Sequence, residues 1–128
     1  MKTDCQIYVK DSIEAVAFYK RALNLTLGMT ALNEDGTYEH ASLMSGEDVI
    51  LCVAESHATS PEIQEGKLPV MSFNCFDLGS REAVDQAYNV LSMGARSIET
   101  PDGPVSWPWN EYCFDLVDKF GVHWWIAI

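Results

Sequence analysis

Asp4 to Asn24 reads DCQIYVKDSIEAVAFYKRALN, and this stretch decides the fold. As far as Lys10 it alternates polar and apolar residues, with Cys5, Ile7 and Val9 on one face, the period of two of a half-buried strand. Asp11 then offers an N-cap, with Glu14 three residues on as its capping partner. From Ser12 to Asn24 the residues Ala15, Phe18, Tyr19, Ala22 and Leu23 recur at helical spacing and make one apolar stripe that can lie on a sheet. The opening unit is therefore a strand followed by a helix.

Three strand-like runs come next, Leu25 to Asn33, Thr37 to Met44 and Val49 to Glu55, separated by the turn segments Glu34-Asp35-Gly36 and Ser45-Gly46-Glu47-Asp48. Ser56 to Pro69 is polar, carries Pro61, Gly66 and Pro69, and reads as a connector. The cycle then restarts: Val70 to Phe76 as a strand, Ser80 to Met93 as a helix, and Gly94 as a left-handed stop. The second helix carries its own stripe of Ala83, Val84, Ala87, Tyr88 and Leu91. Ala95 to Thr100 is a short strand before the Pro-rich loop Pro101 to Pro108, and Glu111 to Val117 and Val122 to Ile128 are the last two strands.

Glu14-Ala15-Val16 recurs as Glu82-Ala83-Val84 at an offset of 68, and the same offset carries Leu23 onto Leu91. The matches fall at equivalent points of the two helices, so the chain reads as two βαβββ modules, about 1–56 and 70–128, joined by a linker over 57–69 into one domain. The fold class is α+β: a curved mixed sheet with a central cleft and the helices on its outer face. Such a cleft is a common seat for a small molecule.

Composition narrows the partners. The 128 residues carry 8 basic and 19 acidic side chains, a net charge of −11. The acidity is even, −6 over residues 1–64 and −5 over 65–128. Without a basic stripe, neither nucleic acid nor an anionic membrane is an expected partner, and the charge tilts only slightly towards a small cationic ligand, since most acidic proteins are acidic for solubility alone. Met1 to Gln6 is polar where a signal peptide needs an apolar core, and the longest apolar run, Val49 to Ala54, is far too short to span a bilayer. Cys5, Cys52, Cys75 and Cys113 are 47, 23 and 38 residues apart, with no C-x-x-C pair, and read as reduced cysteines of a cytoplasmic protein.

Three segments bear a family resemblance: Ser12-Ile13-Glu14-Ala15-Val16-Ala17-Phe18-Tyr19 with Leu23, then His40-Ala41-Ser42-Leu43, and Asp118-Lys119-Phe120-Gly121-Val122-His123-Trp124. Together they resemble the vicinal oxygen chelate superfamily of glyoxalases, extradiol dioxygenases and bleomycin-resistance proteins, most of all its PhnB-like branch. The resemblance implies paired βαβββ modules and a homodimer. It also implies that a metal, where one is held, would be bound by side chains of the first, fourth, fifth and eighth strands. Those positions fall here near Asp4, Leu51, Met71 or Ser72, and Trp125, of which only Asp4 is a hard-metal ligand. No metal and no cofactor are expected. The methyltransferase label that PhnB-like members often carry meets no glycine-rich nucleotide loop in this chain.

The candidate ligand-binding residues are Tyr8, His40, Leu51, Trp107, Trp109 and Trp125. His40, mid-strand, is the candidate general base, with Glu39 expected on the opposite face. His123 shares the parity of Trp125 and Ala127. All four tryptophans, Trp107, Trp109, Trp124 and Trp125, lie in the last 22 residues, and of the adjacent pair only one can pack under a helix. Trp125, at the expected metal position, is the one assigned to the cleft, where it can stack on a flat ligand or hold a cation. The leading expectation is a metal-independent small-molecule binder. The alternatives are a divergent lyase, isomerase or dioxygenase, metal-dependent or using His40 as base, and a non-catalytic interaction module.

Overall fold

A computed structural model describes residues 4–56, 71–108 and 110–128. The chain divides into two compact units, Met1–Pro69 and Val70–Ile128. Among the described residues there are two helices and nine strands in two mixed sheets, an α+β fold. The linker expected over 57–69 lies outside the described residues.

The first unit runs β1 (Gln6–Val9), α1 (Ser12–Leu23), β2 (Thr26–Leu32), β3 (Tyr38–Ser45) and β4 (Asp48–Glu55). Its sheet has the order β1-β4-β3-β2, with β1 parallel to β4 and the other pairs antiparallel. The parallel pair joins Gln6 to Cys52 and Ile7 to Val53, and β3 sets Leu43 against Leu51 and Ser42 against Cys52. Alternation therefore puts Ile7, Val9, Ala41, Leu43, Leu51 and Val53 on one face, all of them buried. α1 lies against β1, β3 and β4, and its Ala15, Phe18, Tyr19 and Ala22 complete this core.

A helix of 12 residues is marginal by itself, so α1 depends on this packing and on its caps. Asp11 sits at φ 66° and takes the Glu14 N–H on its carboxylate at 3.1 Å, as the sequence suggests. A capping box would direct the Asp11 N–H to the Glu14 side chain. Instead Glu55, buried at the end of β4, accepts the Asp11 N–H at 2.9 Å and the Ser12 N–H at 2.6 Å. A carboxylate at a helix N-terminus also meets the positive end of the helix dipole.

The second unit runs β5 (Ser72–Cys75), α2 (Arg81–Leu91), β6 (Ser97–Ile98), β7 (Val105–Trp107), β8 (Asn110–Val117) and β9 (His123–Ala127). The order β5-β9-β8-β6, with β5 parallel to β9, repeats the first sheet strand for strand. The repeat inferred from two helix motifs is thus a repeat of topology.

One expected element differs. β6 covers two residues, and β7 lies inside the stretch expected to be a Pro-rich loop. β6 pairs with Leu116 and Val117 of β8, and β7 with Asn110 and Cys113, so the two occupy the same edge, the place β2 holds in the first sheet. Pro101, Gly103 and Pro104 explain the gap, because proline cannot donate to a ladder and fixes its own φ. Beyond Pro104 the chain regains a strand.

α2 packs over Phe114, whose ring meets Tyr88 edge-on at 5.3 Å. On that face Trp124 is fully buried and stacks on Phe73 at 4.9 Å, beside Leu116 and Ile126.

Candidate functional site

In both sheets the face turned away from the helix is the polar one, and in both a histidine organises it. In the first unit that face carries Gln6, Tyr8, His40, Ser42 and Cys52. Gln6 donates from Nε2 to the Tyr8 hydroxyl at 2.9 Å, and its Oε1 lies 2.7 Å from His40 Nδ1. An amide oxygen only accepts, so His40 carries a proton on Nδ1, and in the neutral ring Nε2 accepts from Ser42 Oγ at 3.0 Å. Cys52 donates in turn to Ser42 at 3.8 Å, and burial pushes its thiol pKa up.

The polar face of the second unit carries Ser72, Asn74, Phe76, Asp115, His123 and Trp125. Asp115 Oδ1 lies 2.7 Å from His123 Nε2. A carboxylate accepts, so Nε2 carries a proton, and in the neutral ring Nδ1 accepts from the Ser72 hydroxyl at 2.6 Å. Ser72, His123 and Asp115 thus form one chain of hydrogen bonds across three adjacent strands. One step along the same face, Phe76 meets the half-buried Trp125 edge-on at 5.1 Å.

The sequence-predicted residues distribute as follows. Tyr8 and His40 come together through Gln6, at the helix-free face of the first sheet. Leu51 does not join them: it is fully buried on the α1 face, one residue out of register, and Ile50 and Cys52 are its neighbours with the parity of Gln6. The alternative left open between Met71 and Ser72 falls to Ser72, which pairs with His123. Trp124 goes under α2 and Trp125 to the other face. Trp107 is half-buried on β7, and Trp109 lies outside the described residues. Asp115, and the pairing of Ser72 with His123, are what sequence reasoning missed. Their signal, a shared parity with His123, becomes readable only when the strand register is known.

The donors on these faces do not fit a metal. Both ring nitrogens of His40 and of His123 are engaged by side chains, and among the described residues no three His, Cys, Asp or Glu side chains come together as ligands.

Comparison with known proteins agrees with this architecture. The family model described as "Glyoxalase/Bleomycin resistance protein/Dioxygenase superfamily" matches residues 3–126. No protein of curated function matches the chain. Among solved structures, a putative 3-demethylubiquinone-9 3-methyltransferase, PhnB protein, from Bacillus cereus superposes with a TM-score of 0.73 at 17% identity, covering 99% of this chain and 98% of that one. Protein PA1353 from Pseudomonas aeruginosa gives 0.72 at 22% identity over 99% and 96%, and TioX from Micromonospora sp. ML1 gives 0.66 at 19% over 98% of each. At these identities the likeness is one of fold.

Proposed function

Because the chain belongs to the glyoxalase/bleomycin resistance protein/dioxygenase superfamily, we propose that it is a PhnB-like member that binds a small, flat organic molecule without a ligated metal. The observation that carries this reading is the helix-free face of the second sheet, where the Trp125–Phe76 pair adjoins the polar chain of Ser72, His123 and Asp115. An aromatic platform with a few oriented polar groups is the usual composition of a small-molecule site. A net charge of −11 favours a cationic or neutral ligand over an anionic one.

Three further parts belong to the same reading. A homodimer is supported by β2, an edge strand whose Leu27, Met29 and Leu32 are exposed. A cytoplasmic location is supported by the four cysteines, all of them free. No described helix is long and apolar enough to cross a membrane, and the acidic charge supports neither a lipid nor a nucleic-acid partner. A His40 base is less well supported, since the hydroxyl it contacts, that of Ser42, is buried and its other nitrogen faces a neutral amide.

The test is a titration of tryptophan fluorescence with flat cationic and neutral aromatic compounds, beside elemental analysis of protein purified without chelator or metal column. Saturable quenching that Trp125→Ala weakens at least about tenfold, in metal-free protein, is expected. An unresponsive signal across the set, or close to one metal per chain, overturns the reading.

A further inference from the structure

Ser72 is exposed, and its Oγ lies 2.6 Å from Nδ1 of an imidazole whose other nitrogen is held by a carboxylate, so the neutral ring turns a lone pair to the hydroxyl. The two distances, 2.6 and 2.7 Å, are those of well-formed hydrogen bonds. The three groups do what an activated nucleophile requires: a hydroxyl, a base in contact with it, and a third group that fixes the tautomer of the base. Here the base nitrogen is Nδ1 and the oriented one is Nε2. The roles depend on that geometry and not on which nitrogen plays which part. No structural demand of the sheet explains the chain, because all three residues lie on the face without a helix.

We propose that Ser72 is a His123-activated nucleophile that takes acyl groups from small uncharged esters, aryl esters above all. This deepens the binding reading, because Trp125 and Phe76 offer the aromatic platform beside it. As Ser72 Oγ bonds to the acyl carbon, its proton passes to His123 Nδ1. The carbon–oxygen bond to the leaving group then breaks, and the departing alcohol takes the proton from Nδ1. A water molecule, giving a proton to the same nitrogen, adds to the acyl-serine. The acyl group leaves as the carboxylic acid, and Ser72 recovers its proton. Asp115 remains a carboxylate throughout and holds the Nε2–H. Asn74, the next residue of β5 on that face, carries an amide of the kind that stabilises an oxyanion.

The experiment uses the full chain with a fluorophosphonate probe and with p-nitrophenyl acetate, read by intact mass, peptide mapping and nitrophenol release. A single adduct on Ser72 is expected, absent from Ser72→Ala. His123→Ala should slow its formation by about 100-fold or more. Asp115→Asn, which frees the tautomer, should slow it at least about tenfold. Ser72→Cys keeps a nucleophile of similar size at the same place, and its alkylation by iodoacetamide should fall when His123→Ala is added. Thermal melts of each variant separate lost reactivity from lost folding. No adduct on Ser72, or labelling unchanged by His123→Ala in folded protein, overturns the nucleophile, and fluorescence quenching that persists would leave the binding reading standing. A Ser72 adduct in a protein whose tryptophans answer to no ligand supports the nucleophile and counts against that reading alone.

Discussion

Trp124 donates its indole N–H to Asp118 Oδ2 at 2.8 Å, and both residues are fully buried. The other oxygen of the same carboxylate accepts the backbone N–H groups of Phe120 at 2.8 Å and Val122 at 3.1 Å. One aspartate thus ties the β8–β9 turn to the largest side chain of the second core. Asp118→Ala leaves three donors without this acceptor, and hydrogen bonds to a charged group contribute about 1.5–3 kcal/mol each. A loss of about 3 kcal/mol or more in urea unfolding is expected, and a loss below about 1 kcal/mol would contradict the assigned role.

Gly121 closes that turn at φ +86°, and a Cβ there would stand 2.6 Å from an Arg96 guanidinium nitrogen. Gly121→Ala therefore adds backbone strain to a collision that Arg96 must move to relieve. The expected cost is about 1–2 kcal/mol. The double variant with Arg96→Ala should recover only the part due to the collision, which a thermal melt of the single and double variants separates.

Glu55 joins β4 to the start of α1 by accepting the Asp11 and Ser12 N–H groups. Glu55→Gln keeps one acceptor oxygen, replaces the other with a donor and removes the charge at the helix N-terminus. A loss of about 2 kcal/mol is expected by urea unfolding. A change within about 0.5 kcal/mol would mean that water replaces the carboxylate at no cost.

Burial raises the Cys75 thiol from its ordinary value of 9.0 to about 11. The folded chain therefore keeps this proton over a pH range in which the unfolded chain gives it up. Stability is intact below pH 9 and falls as pH rises towards 11, by about 1.4 kcal/mol per unit for this one group. Melting temperatures at pH 8 and pH 10.5 should diverge in the natural protein and lie closer together in Cys75→Ala. Equal divergence in both would remove Cys75 as the cause.

The helices and most of the strands were legible because their apolar residues recur with a clean period and their ends carry Asp11, Ser80 and Gly94. Gly94 takes a left-handed φ of 70° as expected, although α2 itself ends three residues earlier, at Leu91. The face that Leu51 takes is not legible in the sequence, because Val49 to Ala54 is apolar throughout, and a run without polar residues hides its own parity. β7 was obscured by the prolines that precede it. Ser72 and His123 are 51 residues apart, and nothing local announces their contact. It exists because β5 and β9 pair in one register, and a slip of one residue would turn Ser72 to the other face.

The two edges of the repeat differ in what they offer another strand. β2 runs for seven residues, with two register shifts against β3, whereas the matching edge is cut into β6 and β7 by prolines. Of these two matching edges, only β2 presents a strand of more than three residues. Two copies joined β2 to β2 would each cover the other's β2 edge and would be related by a two-fold axis. A protein whose two matching edges were equal would have to guard both against pairing; here the prolines shorten the second.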